Sequence, residues 1–290
     1  MPEIFQYSFM LRAMAAGLMV GIVSPTVGLF LVVRRLSLLG EGLGHAAFTG
    51  VAIGWMLGTK PLLAAVIFSA LVALGIEKLR ARRAAQGDVA LAIMLYASLA
   101  FGLVIMSRSK GMGTEAMGYL FGSIVTVTSF DLVVMVAISG LVMTTIALLH
   151  KELFVIALDE EAARVSGIPV EQLNLILVVL TAMTVTAAMR VVGTLLVAAL
   201  MVIPVATALQ LSRGFWSSLA YAVGFALTAV FAGLVFSFYL DLAPGGTIVL
   251  VAVSQFMLVL AVKRGLRMLR SSSYNYINAD ALRARSKEAE

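Results

Sequence analysis

Apolar residues come in long runs along this chain, broken by short polar clusters. Nine stretches have the length of membrane-crossing helices: 13–33, 37–58, 62–79, 88–106, 129–149, 171–189, 192–211, 216–240 and 247–263. A run of about 20 apolar residues crosses the hydrocarbon as one helix. None shows the strand-length alternation of a β-barrel. The pattern therefore predicts an all-α, polytopic membrane protein of about nine transmembrane helices. Residues 1–12 read as an interfacial segment, where Phe5, Tyr7 and Phe9 suit the headgroup boundary and Arg12 snorkels. The stretch "GTEAMGYLFGSIV" (113–125) is apolar but too short to cross, and reads as a half-helix or re-entrant turn buried in protein. Residues 1–270 form one transmembrane domain, and 271–290 a flexible cytoplasmic tail.

Charge orients the chain. Placing Arg34 and Arg35 inside and alternating puts 16 of the 21 basic residues on the cytoplasmic side. The exceptions are Arg12, Lys60, Arg108, Lys110 and Arg190. The positive-inside rule then predicts an outside N-terminus and a cytoplasmic C-terminus. The tightest point is 189–193, where two spans must meet with almost no loop. Composition changes the picture little. Only 12% of residues are charged, about half the usual share in soluble domains. The net charge of +6 reads as cytoplasmic loops rather than a nucleic-acid surface. The first apolar run follows no basic region and continues too far for a cleavable leader. With no cysteine, neither disulfides nor thiolate metal sites are open to the chain.

One polar pair interrupts the apolar pattern. In "GEGLGHAAFTG" (40–50), Glu41 and His45 stand four residues apart, on one face of a helix. If that helix starts near Ser37, His45 lies about 12 Å along it, near mid-bilayer. An ionised carboxylate there costs several kcal/mol unless paired. A divalent cation is one partner, since carboxylate and neutral imidazole both ligate zinc, manganese and ferrous iron. One pair gives two ligands, and a two-fold dimer would give the four of a tetrahedral site. Gly40, Gly42, Gly44 and Gly50 would let helices approach around it. A metal route, a proton relay and a structural hydrogen-bonded pair are all open on these residues alone.

A second informative stretch, "ALDEEAARVSGIPVEQLN" (157–174), falls on the cytoplasmic side. Asp159 suits a helix N-cap, Glu160 and Glu161 the first turn, Gly167 the stop, and Pro169 the start of the next span. A short amphipathic helix between two spans reads as an ordinary surface helix or as a coupling helix for a cytoplasmic motor. No phosphate-binding G-x-x-x-x-G-K-[ST] occurs, so any ATPase is a separate chain.

These residues carry a resemblance. "RRLSLLGEGLGHAAFTGVAIG" (34–54) resembles the signature of the metal-ion permeases of ABC importers, which serve zinc, manganese and iron. "YLFGSIV" (119–125), "LDEEAARVSGI" (158–168), "VVGTLLVAALMVIPVATALQL" (191–211) and "FSFYLDLAPGGTIVLVA" (236–252) are similar to later family segments, in order, to about residue 265. The resemblance implies a homodimeric or pseudo-dimeric permease that performs no catalysis itself. ATP-binding subunits would lie below it and an extracytoplasmic metal-binding protein above. It implies Glu41 and His45 as metal ligands, with Glu41 standing where Asp is usual. It implies Asp159, Glu160, Glu161, Ala162, Arg164, Val165, Ser166 and Gly167 as the ATPase-coupling segment. Gly44, where manganese-type members commonly have Ser, makes the chain look more like the zinc branch.

Other polar residues have plainer readings. His150 beside Lys151 reads as interfacial, Arg190 as snorkelling at the outer end of a hairpin, and Asp241 as an outer turn. Pro25 and Pro204 lie inside spans, and the sixteen methionines are dispersed packing residues. The leading expectation is a permease subunit of an ATP-driven importer of Zn2+ or Mn2+. The alternative is a proton-coupled secondary transporter with Glu41 and His45 as its relay. An intramembrane enzyme is disfavoured because the pair lacks a further ligand.

Overall fold

The computed structural model describes residues 6–81, 87–108 and 113–287. Phe5, Arg82, Arg83 and Lys110 lie outside the described residues. Among the described residues there are eleven helices and no strand. They are α1 (Ser8–Val33), α2 (Leu39–Met56), α3 (Pro61–Ala81), α4 (Gly87–Arg108), α5 (Gly113–Phe121) and α6 (Ser129–Leu158). These are followed by α7 (Glu160–Val165), α8 (Val170–Val192), α9 (Val197–Leu211), α10 (Phe215–Leu240) and α11 (Pro244–Lys287). A helix occupies each of the nine apolar stretches, and α5 is the short helix expected at 113–125. Six helices are long and apolar enough to cross a membrane: α1, α3, α6, α8, α10 and α11. The apolar part of α4, Leu91–Ser107, and α9 are shorter. The chain is a multi-pass helical membrane protein.

Two boundaries differ from the apolar pattern for clear physical reasons. The chain is already helical at Ser8, so Phe9 to Arg12 belong to α1 rather than to a separate interfacial segment, and Met10 is fully buried. At the other extreme, α6 runs on through His150, Lys151 and Glu152 to Leu158. Those polar residues are adequate helix formers. The helix stops only where Asp159 turns extended and caps α7 instead.

Helix α2 sits at the centre, packed on α3, α4, α8 and α9. Its glycines are what let it in. A Cβ at Gly44 would stand 2.9 Å from the Thr194 carbonyl oxygen, and one at Gly50 would stand 2.5 Å from Ala65 Cα. Gly40 faces Ala198 and Met201 of α9, and Gly42 faces Leu95 of α4. The small residues around the polar pair thus serve packing within one chain.

The α8–α9 connection departs most from the sequence reading. Val191, Val192 and Thr194 are buried, so the turn is inside the bundle rather than at an outer surface. Gly193 takes φ +88, and its backbone lies against Leu120, Phe121 and Gly122. Backbone hydrogen bonds tie the two segments: Thr194 N–H donates to the Tyr119 carbonyl at 2.9 Å, and Ser123 N–H to that of Arg190 at 3.3 Å. Gly245, at the start of α11, packs on Val192 and Phe121 from a third side. Because the turn is internal, α9 begins at Val197 and has only 15 residues.

Candidate functional site

Contacts sort the helix ends into two groups. At one end lie the 119–123 loop, the α8–α9 turn and the starts of α3, α6 and α11. At the other lie the α1–α2 turn, the end of α3, α7 and the start of α8. The short helix α7 belongs to the second group, whereas the polar pair lies deeper in the bundle, because Gly44 beside His45 packs on Thr194 of the α8–α9 turn.

The first residues of α2 carry the pair. Because the helix starts at Leu39, Glu41 is in its first turn. The positive helix end favours a carboxylate there, which offsets some of the burial cost expected from sequence. His45 lies about 9 Å from the helix start rather than 12 Å. Glu41 is exposed and His45 half-buried. The two stand four residues apart, one turn along the same face of α2. The His45 Nδ1 is buried and has no hydrogen-bond partner among the described residues. Thr49, one turn on, takes up the backbone instead, donating to the carbonyls of His45 and, across to α4, Ser98. Among the described residues no group of three or more His, Asp or Glu gathers as a metal site. The described residues therefore bring two candidate ligands, Glu41 and His45, onto this face of α2.

Helix α7 is built as its residues predict. The Asp159 carboxylate accepts from Glu161 N–H and Ala162 N–H, both at 3.0 Å. Gly167 takes φ +79 and closes the helix, its N–H donating to the Arg164 carbonyl. Ala163 is buried against the bundle, while Glu161, Ala162, Arg164, Ser166 and Gly167 are exposed and Val165 is 91% exposed. Glu160 points inward, pairing with Arg34 at 2.8 Å and with Arg164 at 3.6 Å. Arg34 also donates to Asn174 Oδ1 at 2.7 Å. Burial pulls the Arg34 guanidinium below its ordinary range, and the Glu160 carboxylate opposes that pull.

Sequence reasoning missed a second buried ion pair. Arg190 does not snorkel: it meets Asp131 of α6 at 3.0 Å and lies over the Tyr119 ring at 4.3 Å. Asp131 in turn closes a capping box with Thr128. The only sequence signal was two lone opposite charges, one near the start of α6 and one near the end of α8. Remaining readings fall where expected: His150 binds the Ala147 carbonyl beside Trp216, and Asp241 ends α10 in a left-handed turn.

Known proteins share this architecture. Residues 6–263 match the family model described as "ABC 3 transport family". A probable metal transport system membrane protein of Treponema pallidum is 40% identical over 258 residues, 89% of this chain and 96% of that protein. The manganese transport system membrane protein MntC of Halalkalibacterium halodurans is 32% identical, covering 88% of each chain. The high-affinity zinc uptake system membrane protein ZnuB of Haemophilus influenzae is 28% identical over 88% of this chain and 97% of that one. Among solved structures, a chain of PsaBC from Streptococcus pneumoniae in complex with Fab superposes with a TM-score of 0.80 at 30% identity, covering 89% of this chain and 92% of that one. With a family model spanning nearly its whole length and relatives of this similarity, the chain belongs to the ABC 3 transport family of membrane permeases.

Proposed function

We propose that this chain is the membrane subunit of an ATP-driven importer of a divalent transition metal, and that Glu41 and His45 are its ligands on the metal. The observation that carries the assignment is the His45 Nδ1, buried and without a partner among the described residues, on the same helix face as an exposed carboxylate. A dication satisfies both. Two chains about a two-fold axis supply two carboxylates and two imidazoles, the four donors a tetrahedral ion takes. The cargo is zinc or manganese: relatives named for each are found, and this donor pair suits both. Gly44 favours zinc by resemblance, whereas the manganese relative is the more similar.

In this reading the metal arrives from an extracytoplasmic binding protein and passes along the seam between two copies. It leaves on the basic, cytoplasmic side when ATP-binding subunits close against Asp159 to Gly167. Exposed Val165 and its neighbours would sit in a cleft of that subunit. Family membership favours ATP drive over a proton relay. The test is uptake of labelled zinc and manganese into vesicles holding the permease and its ATP-binding subunit. Glu41→Ala and His45→Ala should each lower uptake about tenfold or more, as losses around metal sites do. Unchanged uptake in both variants removes the pair from the route, and the preferred ion in wild type names the cargo.

A further inference from the structure

The ion pair between α7 and the α1–α2 turn joins two parts that sequence alone kept separate. Arg34 is the residue directly after α1, and its side chain is 7% exposed. One guanidinium nitrogen binds Asn174 at the start of α8 and another binds Glu160 at the start of α7. The fixed fork of a guanidinium holds two such partners in one plane. From Arg34 a turn of five residues, 34–38, leads into α2, whose first turn carries Glu41. That turn is stiff. Arg35 sits in the left-handed region at φ +59, the Leu36 N–H donates back to the Leu31 carbonyl at 2.7 Å, and the Leu39 N–H donates to the Leu36 carbonyl at 3.0 Å. A non-glycine residue persists there only when its surroundings over-determine it. A second charged pair, Glu77 with Arg80 at 3.1 Å, lies at the end of α3 and acts electrostatically on Arg34.

We infer that Arg34 is a positioning residue that couples displacement of α7 to the first turn of α2, through its bond to Glu160 and the rigid 34–38 turn. This rests on the reading of α7 as the ATPase-docking helix and of Glu41 and His45 as the metal pair. An inward push on α7 moves Glu160, Glu160 carries Arg34, and Arg34 carries the backbone that sets Glu41. The exposed residues of α7 are then the surface that feels the motor, and buried Arg34 is the joint that passes its motion to the metal ligands.

The experiment measures metal uptake and phosphate release on the same vesicles, with the full chain and its ATP-binding subunit. Zinc and manganese are the probes. Arg34→Gln removes the link while leaving every residue of α7 in place. Metal moved per ATP should fall at least about fivefold, the lower edge of ordinary coupling energies, while hydrolysis continues, and Arg34→Lys, which keeps the charge but loses the fork, should recover part of the loss. A smaller fall in that ratio overturns the inference, as does a parallel loss of hydrolysis and uptake that leaves the ratio unchanged. Should Arg34→Gln fail to assemble, Arg34→Lys is read by the same criteria. If wild type moves neither ion, the fault lies with the proposed function itself, not with the link.

Discussion

At the scale of single residues, the described ionisable groups inside the bundle differ in how far they are paired. Arg190 pairs with Asp131 through one terminal nitrogen and Tyr119 covers the guanidinium, while the buried Nε has no hydrogen-bond partner among the described residues. Removing one partner from a buried pair leaves the other uncompensated, at a cost of about 3–5 kcal/mol. Arg190→Met should therefore lower the melting temperature in detergent by several degrees. A shift within about one degree, where one kcal/mol is worth roughly 2–4 degrees for chains of this size, would mean the pair contributes little. His45 is the contrasting case, since no described residue hydrogen-bonds its Nδ1. The pair Glu41 and His45 was legible in sequence because four-residue spacing needs no knowledge of the fold. Arg190 was misread because its partner lies 59 positions away on another helix, and periodicity carries no information about which helices meet.

At the scale of elements, apolar run length located the helices well, and the errors cluster where polar residues do not end a helix. The sequence "HKE" at 150–152 looks like a membrane boundary, yet α6 continues. Conversely, the apolar run at 192–211 looks like a complete span, yet its first residues form a buried turn. In both cases hydropathy reports the preferred solvent, while helix ends follow caps and left-handed residues. The short helix α7 was read correctly because its cap, first turn and stop are all local. Asp159→Ala should cost it about 1 kcal/mol. Amide exchange at Glu161 and Ala162, followed by mass spectrometry, should then quicken severalfold, with α8 unchanged. Equal exchange in the two proteins would mean that contacts with the bundle alone hold α7.

At the scale of the whole molecule, three segments distant in sequence converge on one joint: the loop after α5, the α8–α9 turn and the start of α11. Unpaired backbone groups are not tolerated in lipid, so the buried turn depends on its neighbours for solvation. A chain ended after Leu240 lacks Gly245 and should fail to accumulate in membranes. One ended after residue 265 keeps the joint and should accumulate normally. Equal abundance of the two, judged by membrane blot and protease resistance, would show the joint to be dispensable. During synthesis the same dependence imposes an order of events. At 15 residues α9 is too short to stand alone across a bilayer, so the translocation machinery cannot release it as a finished segment. It must wait, sheltered, until the last helix is threaded and locks the assembly behind it.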